Sequence, residues 1–195
     1  MGLRNKTLMA ISITLILMIV IIYSITNAIL LGGYAKLERQ DILQNADQSI
    51  KMIEDEIGQL KSVAGDWSPW DDTYQFVQDV NQAYIDDNLM DTTVVINTDG
   101  KIVYCKYADL ETGKGGQCPD SILQYLSANP FLLRSDSTPD MIGGLAILTE
   151  DPVLLASAPI LTSQLKGPAA GTLIVGRYLN SSEVKRLATK VNLSI

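Results

Sequence analysis

The segment Thr92–Lys106 reads TTVVINTDGKIVYCK, and this segment decides the fold class of the chain. Two runs rich in β-branched residues, Thr92–Asn97 and Lys101–Lys106, flank the tripeptide Thr98–Gly100. β-branched residues favour strands, and an Asp-Gly step between two such runs is typical of a tight turn. The sequence therefore predicts an antiparallel β-hairpin here.

Further strands and helices are predicted towards the C-terminus. Leu145–Leu148 and Val153–Ile160 are rich in apolar residues and are predicted to form a second hairpin, with Gly171–Leu179 as a last strand. A helix is predicted at about Asp120–Asn129. The segment Asn180–Glu183 has the spacing of a capping box and is expected to begin a final helix.

The order of these elements predicts the architecture. The glycine-rich segment Gly113–Gly116 is predicted to be a loop, which leaves five mainly antiparallel strands. We expect the helices to lie against one face of this sheet. The result is a single α+β domain that resembles a PAS or Cache fold, and residues 65–195 have the size of one such domain.

A long helix is predicted before the sheet. Within Tyr34–Ala64, apolar residues recur at alternating steps of three and four, which is a heptad pattern, and Gly65 is expected to end it. This helix packs either on its own domain or against the same helix of a second copy. The expected homodimer seam consists of Leu43, Ile50, Ile53, Ile57 and Leu60.

The segment Leu8–Leu31 has no charged residue and is predicted to be a transmembrane helix. At about 1.5 Å per residue it spans a hydrocarbon core of about 30 Å. A cleaved signal peptide is the alternative, but its apolar region is normally shorter, about 7–15 residues. The predicted organisation is a cytoplasmic tip and membrane helix (1–33), a signalling helix (34–64) and a sensor domain (65–195).

The charge distribution favours an extracytoplasmic domain. All 22 acidic residues follow the membrane segment, together with 13 of the 15 basic residues. Arg4 and Lys6 before the segment are matched by Lys36 and Arg39 after it, so the positive-inside rule hardly discriminates. An acidic domain has little reason to bind nucleic acid or anionic lipid. We place the N-terminus inside and the domain outside.

The composition excludes several kinds of chemistry. The chain has no histidine, which rules out Ser-His-Asp and Cys-His catalysis and histidine metal ligation. No phosphate-binding glycine loop occurs, and we predict neither an enzyme, nor a metal site, nor a cofactor. Cys105 and Cys118 form either a disulfide or two free thiols, since zinc would need two further ligands.

The segment Asp66–Phe76, DWSPWDDTYQF, contains both tryptophans of the chain. It is predicted to begin a short helix that runs to about Val80, with another turn or helix at Tyr84–Leu89. Its aromatic side chains either fasten this helix to the sheet or line a ligand pocket. Asp71 is either a carboxylate at the helix start or one that is paired or contacts a ligand.

Arg177 lies in the apolar strand sequence LIVGR. A surface position is the default. If the side chain is partly buried it needs a carboxylate partner, for which Asp66 and Asp71 are the candidates, or it binds a carboxylate ligand.

Together these residues resemble the fourth class of CHASE domain, a family of extracellular sensory modules of histidine kinases and cyclases. The resemblance rests on DWSPWDDTYQF, YIDDNL, NTDGKIVY, VLLASAPI with the following Gly-Pro, and GTLIVGRYL. It implies a Cache/PAS-like domain beside a signalling membrane helix with a cytoplasmic output module. The matching positions are Asp66, Trp67, Trp70, Asp71, Asp72, Tyr74, Ser157 and Arg177.

Receptors of this family carry a second membrane segment after the sensor, whereas this sequence stops at Ile195, so we expect a truncated chain. We expect a small-molecule ligand between the sheet and the segment Trp67–Tyr84. Two alternatives are a protein-interaction module and a redox-responsive domain built on the two cysteines. The candidate ligand-binding residues are Asp66, Trp67, Trp70, Asp71, Tyr74, Ser157 and Arg177.

Overall fold

A computed structural model describes residues 3–81, 92–109, 114–133 and 138–190. The chain divides into two compact units, residues 1–48 and 49–195. The prediction for Tyr84–Leu89 lies outside the described residues.

The first unit is helical. Helix α1 begins at Leu3, and within the described residues Thr7–Asn27 is the one stretch long and apolar enough to cross a membrane, as a signal sequence would also be. Two of its polar residues bond to their own helix: Thr14 Oγ1 donates to the carbonyl of Ile11 at 2.9 Å and Ser24 Oγ to that of Val20 at 2.8 Å. Such bonds make hydroxyls tolerable in hydrocarbon.

The second unit is an α+β domain. Its helices are the end of α1, which terminates at Trp67, then α2 (Asp71–Asp79), α3 (Asp120–Ala128) and α4 (Ser181–Lys190), with a short 3-10 helix at Pro130–Leu132. The strands are β1 (Thr92–Asn97), β2 (Ile102–Asp109), β3 (Lys114–Gln117), β4 (Ile142–Ile147), β5 (Pro152–Ile160) and β6 (Gly171–Tyr178).

The described strands form one sheet in the order β3-β2-β1-β6-β5-β4, and every neighbouring pair is antiparallel. The sheet has six described strands, so the prediction of five was wrong. The strand that was missed is β3, which lies in the segment predicted to be a glycine-rich loop. It pairs Lys106 with Gln117 and Asp109 with Lys114. Glycine weakens a strand interior, but pairing with an ordered neighbour still holds it extended.

Helices lie against both faces of the sheet, not against one as predicted. Alternate residues of a strand point to opposite faces. The α1 face carries α1 and α2, and its core includes Leu60, Ala64, Phe76, Val95, Ala156, Leu173 and Val175. The α3 face carries α3 and the 3-10 helix, and its core includes Val94, Ile96, Ile122, Leu126, Leu132, Leu155 and Ile174.

The sequence predicted that α1 ends at Gly65, but the helix continues to Trp67. A Cβ atom at Gly65 would lie 2.5 Å from Sδ of Met141, so the glycine admits a close neighbour. Gly143 on β4 plays a similar part, because a Cβ there would lie 2.8 Å from both Ile57 and Lys61 of α1. These two glycines let α1 approach the sheet and the chain leading into β4.

Candidate functional site

The aromatic segment at the end of α1 is fastened to the domain by stacking and hydrogen bonds. The rings of Trp67 and Trp70 stack with centroids 5.5 Å apart and planes 9° from parallel. The buried Thr73 hydroxyl donates to the carbonyl of Trp67 at 2.8 Å. The hydroxyl of Tyr74 lies 3.4 Å from the carbonyl oxygen of Pro168. The segment therefore joins α1, α2 and the connection between β5 and β6.

Asp71 takes part in a reciprocal pair with Ser163. The backbone N–H of Ser163 donates to Oδ1 of Asp71 at 2.9 Å, and the backbone N–H of Asp71 donates to Oγ of Ser163 at 3.3 Å. The backbone N–H and the hydroxyl of Ser163 lower the pKa of Asp71. Asp71 thus lies in the first turn of α2 and links this helix to the loop between β5 and β6. Asp66 is exposed and takes no part in this pair.

Arg177 is paired with Glu56, a residue of α1 that lies 121 positions earlier in the chain. Nη1 of Arg177 donates to Oε2 of Glu56 at 2.5 Å, and its Nε lies 3.8 Å from Oε1 of Glu183. The proposed partners Asp66 and Asp71 were therefore wrong. Glu56 lies about ten residues before Asp66, and at about 1.5 Å per residue that separation along a helix is about 15 Å.

Glu56 is the centre of a charge cluster that joins α1, β6 and α4. Besides Arg177, it accepts hydrogen bonds from Nη2 of Arg186 at 3.0 Å and from Nζ of Lys190 at 2.8 Å. Arg186 also pairs with Glu183 one turn earlier. Only 1% of Glu56 is exposed. Burial alone would raise the pKa of Glu56, but the bonds from Lys190 and Arg186 and the charges of Arg186 and Arg177 together lower it.

Ser157 lies on the other face of the sheet. Its neighbours Ala156 and Ala158 belong to the core of the α1 face, so by alternation its side chain points to the α3 face. It stands directly opposite Ile142 on β4 and Ile174 on β6. The residue is fully buried, and its hydroxyl has no hydrogen-bond partner among the described residues.

A cavity of about 120 Å³ lies on the α3 face, and Ser157 is not among its lining residues but is next to two of them in the sheet. Ile142 and Leu155, which flank Ser157 across and along the sheet, both line it. The other lining residues are Tyr125, Phe131, Leu132, Gly143, Gly144, Leu145 and Ala146. The lining side chains are apolar except for that of Tyr125, and the buried hydroxyl of Ser157 next to the lining is a further polar group that can orient a ligand.

Two other hydroxyls share this lack of a partner within the described part of the chain, those of Ser121 on α3 and Tyr178 at the end of β6. The ring of Tyr178 meets that of Tyr107 edge-on, with centroids 5.0 Å apart. Burial, together with the nearby Tyr107 and the charges of Glu150 and Asp151, raises the pKa of Tyr178 to about 12.

Cys105 and Cys118 form a disulfide, with Cα atoms 5.3 Å apart. Both side chains pack against the core of the α3 face. The bond joins β2 to the residue that follows β3, two positions before α3 begins. It therefore fixes the edge of the sheet to the start of α3.

The family model described as the CHASE4 domain matches residues 52–195 of the chain. The chain belongs to the CHASE4 domain family. Its match begins within α1 and covers the whole α+β domain, which includes all the residues described above as candidates. The resemblance inferred from the aromatic segment and the strand motifs is thus confirmed.

The CHASE4 domain here is similar to part of one longer regulatory protein. The methanogenesis regulatory histidine kinase FilI of Methanothrix harundinacea (strain 6Ac) is 30% identical over 168 residues, which are 82% of this chain and 19% of that protein. The chain therefore spans about a fifth of the length of this relative.

Comparison with solved structures finds partial similarity to two sensor modules. The sensor domain of E. coli DcuS has 14% sequence identity and a TM-score of 0.40, with 73% of this chain and 98% of that chain covered. The extracellular domain of the putative histidine kinase vpHK1S-Z8 has 13% identity and a TM-score of 0.48, with 80% and 60% covered.

The candidate ligand-binding residues do not form one site in this structure. Asp66, Trp67, Trp70, Asp71 and Tyr74 surround the end of α1 and the start of α2. Ser157 lies on the α3 face, and Arg177 belongs to the charge cluster at Glu56. The residues predicted to form one site therefore lie in three separate groups. The group at Ser157 has a buried hydroxyl without a described partner and a cavity close by.

Sequence reasoning missed the rest of the charge cluster: Glu56, Glu183, Arg186 and Lys190. A signal for Glu56 was present, because it lies three residues after Ile53 and four before Leu60 and so shares their side of the helix. An acidic residue inside an apolar stripe needs a cationic partner.

Proposed function

We propose that this chain is the extracytoplasmic ligand-sensing input region of a membrane signal-transduction receptor with a histidine kinase or diguanylate cyclase output. The observation that carries the proposal is a CHASE4 match over residues 52–195 that follows the apolar helical stretch Thr7–Asn27. The similar protein FilI is a histidine kinase, which supports the proposed type of output. In this proposal the domain itself is not catalytic.

The ligand of the proposal is a small, mostly apolar molecule with at least one hydrogen-bonding group, bound on the α3 face beside Ser157. Leaving a buried hydroxyl without a partner costs roughly 1–3 kcal/mol. A ligand that accepts or donates one hydrogen bond there recovers this free energy, whereas a purely apolar molecule does not. Ligand contacts by Asp66, Trp67, Trp70, Asp71, Tyr74 and Arg177 remain predictions.

In the proposed mechanism the ligand acts on α1 through the sheet. The strands that carry Ser157 and Ile174 on one face carry Ala156 and Val175 on the other, where Leu60 and Ala64 of α1 pack. A ligand changes the position of α1 only if it binds two arrangements of the domain unequally. A packed core transmits small shifts because it deforms little.

The proposed homodimer seam is shorter than the heptad pattern suggested. Leu60 is buried in the core of its own domain, and Ile53 and Ile57 pack partly against that core. Leu43 and Ile50 are 61% and 59% exposed. We therefore restrict the proposed contacts with a second copy to Leu43 and Ile50.

Ser157→Ala tests the ligand site. Because the hydroxyl lacks a described partner, the substitution is expected to leave the stability of the ligand-free protein unchanged or to raise it by up to about 1 kcal/mol. Compounds from a library of small organic molecules that stabilise the wild type are expected not to stabilise this variant. The measurement is thermal unfolding of the full chain, followed by tryptophan fluorescence, with and without each compound.

The matched control is Thr73→Ala, which removes a buried hydroxyl that does have a partner. It is expected to lower stability by about 1 kcal/mol and to keep the response to the same compounds. If the compounds stabilise Ser157→Ala as much as the wild type, the proposal that the ligand binds on the α3 face is wrong.

A protein-interaction module is a second candidate because Trp70 is 42% exposed although it stacks on Trp67. Exposed aromatic side chains are enriched at protein interfaces. If a protein partner binds there, Trp70→Ala should abolish its binding and Ser157→Ala should leave it unchanged. A ligand on the α3 face requires the opposite result.

A further inference from the structure

A second cavity, of about 200 Å³, lies between α1 and α4, within the second unit and away from Ser157. Its lining is apolar except for one serine. Leu187 and Ala188 are buried, whereas Val184 is 40% exposed and marks an open side. The lining residues are Ser49, Met52, Ile53, Leu179, Val184, Leu187 and Ala188.

The volume is enough for a small organic molecule. A dry apolar cavity of about 150 Å³ in another protein binds benzene, so about 200 Å³ accepts a chain of roughly eight carbons. Such a chain would replace the contacts that the lining side chains of α1 and α4 lack across the cavity.

The charge cluster adjoins this cavity. Glu56 follows the lining residue Ile53 by three positions on α1, and Lys190 follows the lining residue Leu187 by three on α4, so each pair shares a helix face. The cluster contains three cations and two carboxylates and so has one positive charge in excess, in a chain of net charge −7.

The cations of the charge cluster have hydrogen-bond donors that can reach a ligand in the cavity. The ammonium of Lys190 has three N–H groups. In the described part of the chain one bond leaves it, to Oε1 of Glu56, and its side chain is 48% exposed. The side chain of Arg186 is 41% exposed. An anionic head group can approach these cations without entering the buried side of the cluster.

We propose that the cavity between α1 and α4 binds a short amphiphile, an alkyl chain of roughly eight carbons ending in a carboxylate. The chain fills the apolar cavity and the carboxylate pairs with Lys190 and Arg186. The site is independent of the proposed ligand on the α3 face. Its occupant contacts both α1 and α4, so it changes the packing of these helices if it binds two arrangements unequally.

Photolabelling of the full chain in lipid nanodiscs tests this site. The probe is an octanoate analogue with a diazirine in its chain, and labelled peptides are located by mass spectrometry. Label is expected in peptides containing Met52 or Leu187. Excess octanoate should remove it, octanol should compete less well, and acetate should not compete.

Three variants separate the parts of the site. Val184→Phe, at a partly exposed position, fills the cavity and displaces about two methylene groups, which should reduce the label about tenfold. Lys190→Gln should weaken competition by octanoate and leave competition by octanol unchanged. Gly144→Ala, with no atom within 4 Å of the added Cβ, changes the other cavity and should leave the label unchanged.

Label confined to the apolar stretch Thr7–Asn27, or unaffected by Val184→Phe, would overturn the proposal. So would label in peptides containing Ile142 or Leu155, which would instead support a ligand on the α3 face. The comparison of octanoate, octanol and acetate as competitors in the wild type tests the site even if a variant does not fold.

Discussion

Glu56→Ala is expected to lower the free energy of unfolding by about 1.5–3 kcal/mol, because it takes the carboxylate from the partly buried guanidinium of Arg177, whereas water can replace it at the more exposed Arg186 and Lys190. The substitution removes the shared acceptor of Arg177, Arg186 and Lys190. For a domain of this size the melting temperature should fall by on the order of 10 °C. The measurement is thermal unfolding of the wild type and the variant at neutral pH.

The matched control is Glu54→Ala, which makes the same change of charge at an exposed position of the same helix. Its effect should lie within about 0.5 kcal/mol. If the two variants are equally stable, the cluster at Glu56 does not hold α1, β6 and α4 together.

The pH dependence of stability shows whether ionised Glu56 stabilises the folded protein. The pKa of Glu56 is lowered in the folded protein, so its stabilisation is present above the unfolded pKa of about 4.3 and is lost as the pH falls through the lower folded value. The difference in free energy of unfolding between the wild type and Glu56→Gln should therefore shrink as the pH is lowered below about 4.

The double substitution Cys105→Ser with Cys118→Ser is expected to cost about 3 kcal/mol of stability. The bond closes a loop with a sequence separation of 13 and ties the edge of the sheet to the start of α3. Dithiothreitol should lower the melting temperature of the wild type towards that of the double variant. Hydrogen exchange should increase first in β3 and α3.

The double variant is its own control for the reductant, since dithiothreitol should leave its melting temperature unchanged. A wild type that is equally stable with and without reductant would contradict the structural role of the disulfide. Signalling that follows the redox state of the bond while stability does not would favour the redox-responsive alternative.

The elements predicted from the sequence are those that local patterns determine. Thr92–Asn97 has β-branched residues and an Asp-Gly turn after it, and Asp120–Ala128 has the apolar spacing of a helix, so both were found close to their observed bounds. β3 was missed because KGGQ has no apolar alternation, and its strand character comes from pairing with β2. Nonlocal pairing of this kind is invisible in a short window of sequence.

The candidate site was predicted less well, for a related reason. Arg177 was recognised as unusual, but its partner Glu56 is 121 residues away, and two other acidic residues were preferred. Ser157 was named from the family motif alone, since a serine in a strand does not reveal whether its hydroxyl has a partner. The sheet separates Ser157 from the other candidate residues, and Arg177 lies near Glu56, about ten residues before the aromatic segment on α1, neither of which a local motif reveals.

The location of the domain outside the membrane is the central claim, and labelling with a membrane-impermeant maleimide in intact cells tests it most directly. The native cysteines are bonded to each other, so a single introduced cysteine reports its own side of the membrane. Lys101→Cys, at the exposed hairpin turn, should react in intact cells, and Asn5→Cys should react only after lysis. Labelling of Asn5→Cys in intact cells, with Lys101→Cys protected until lysis, would contradict the proposed orientation.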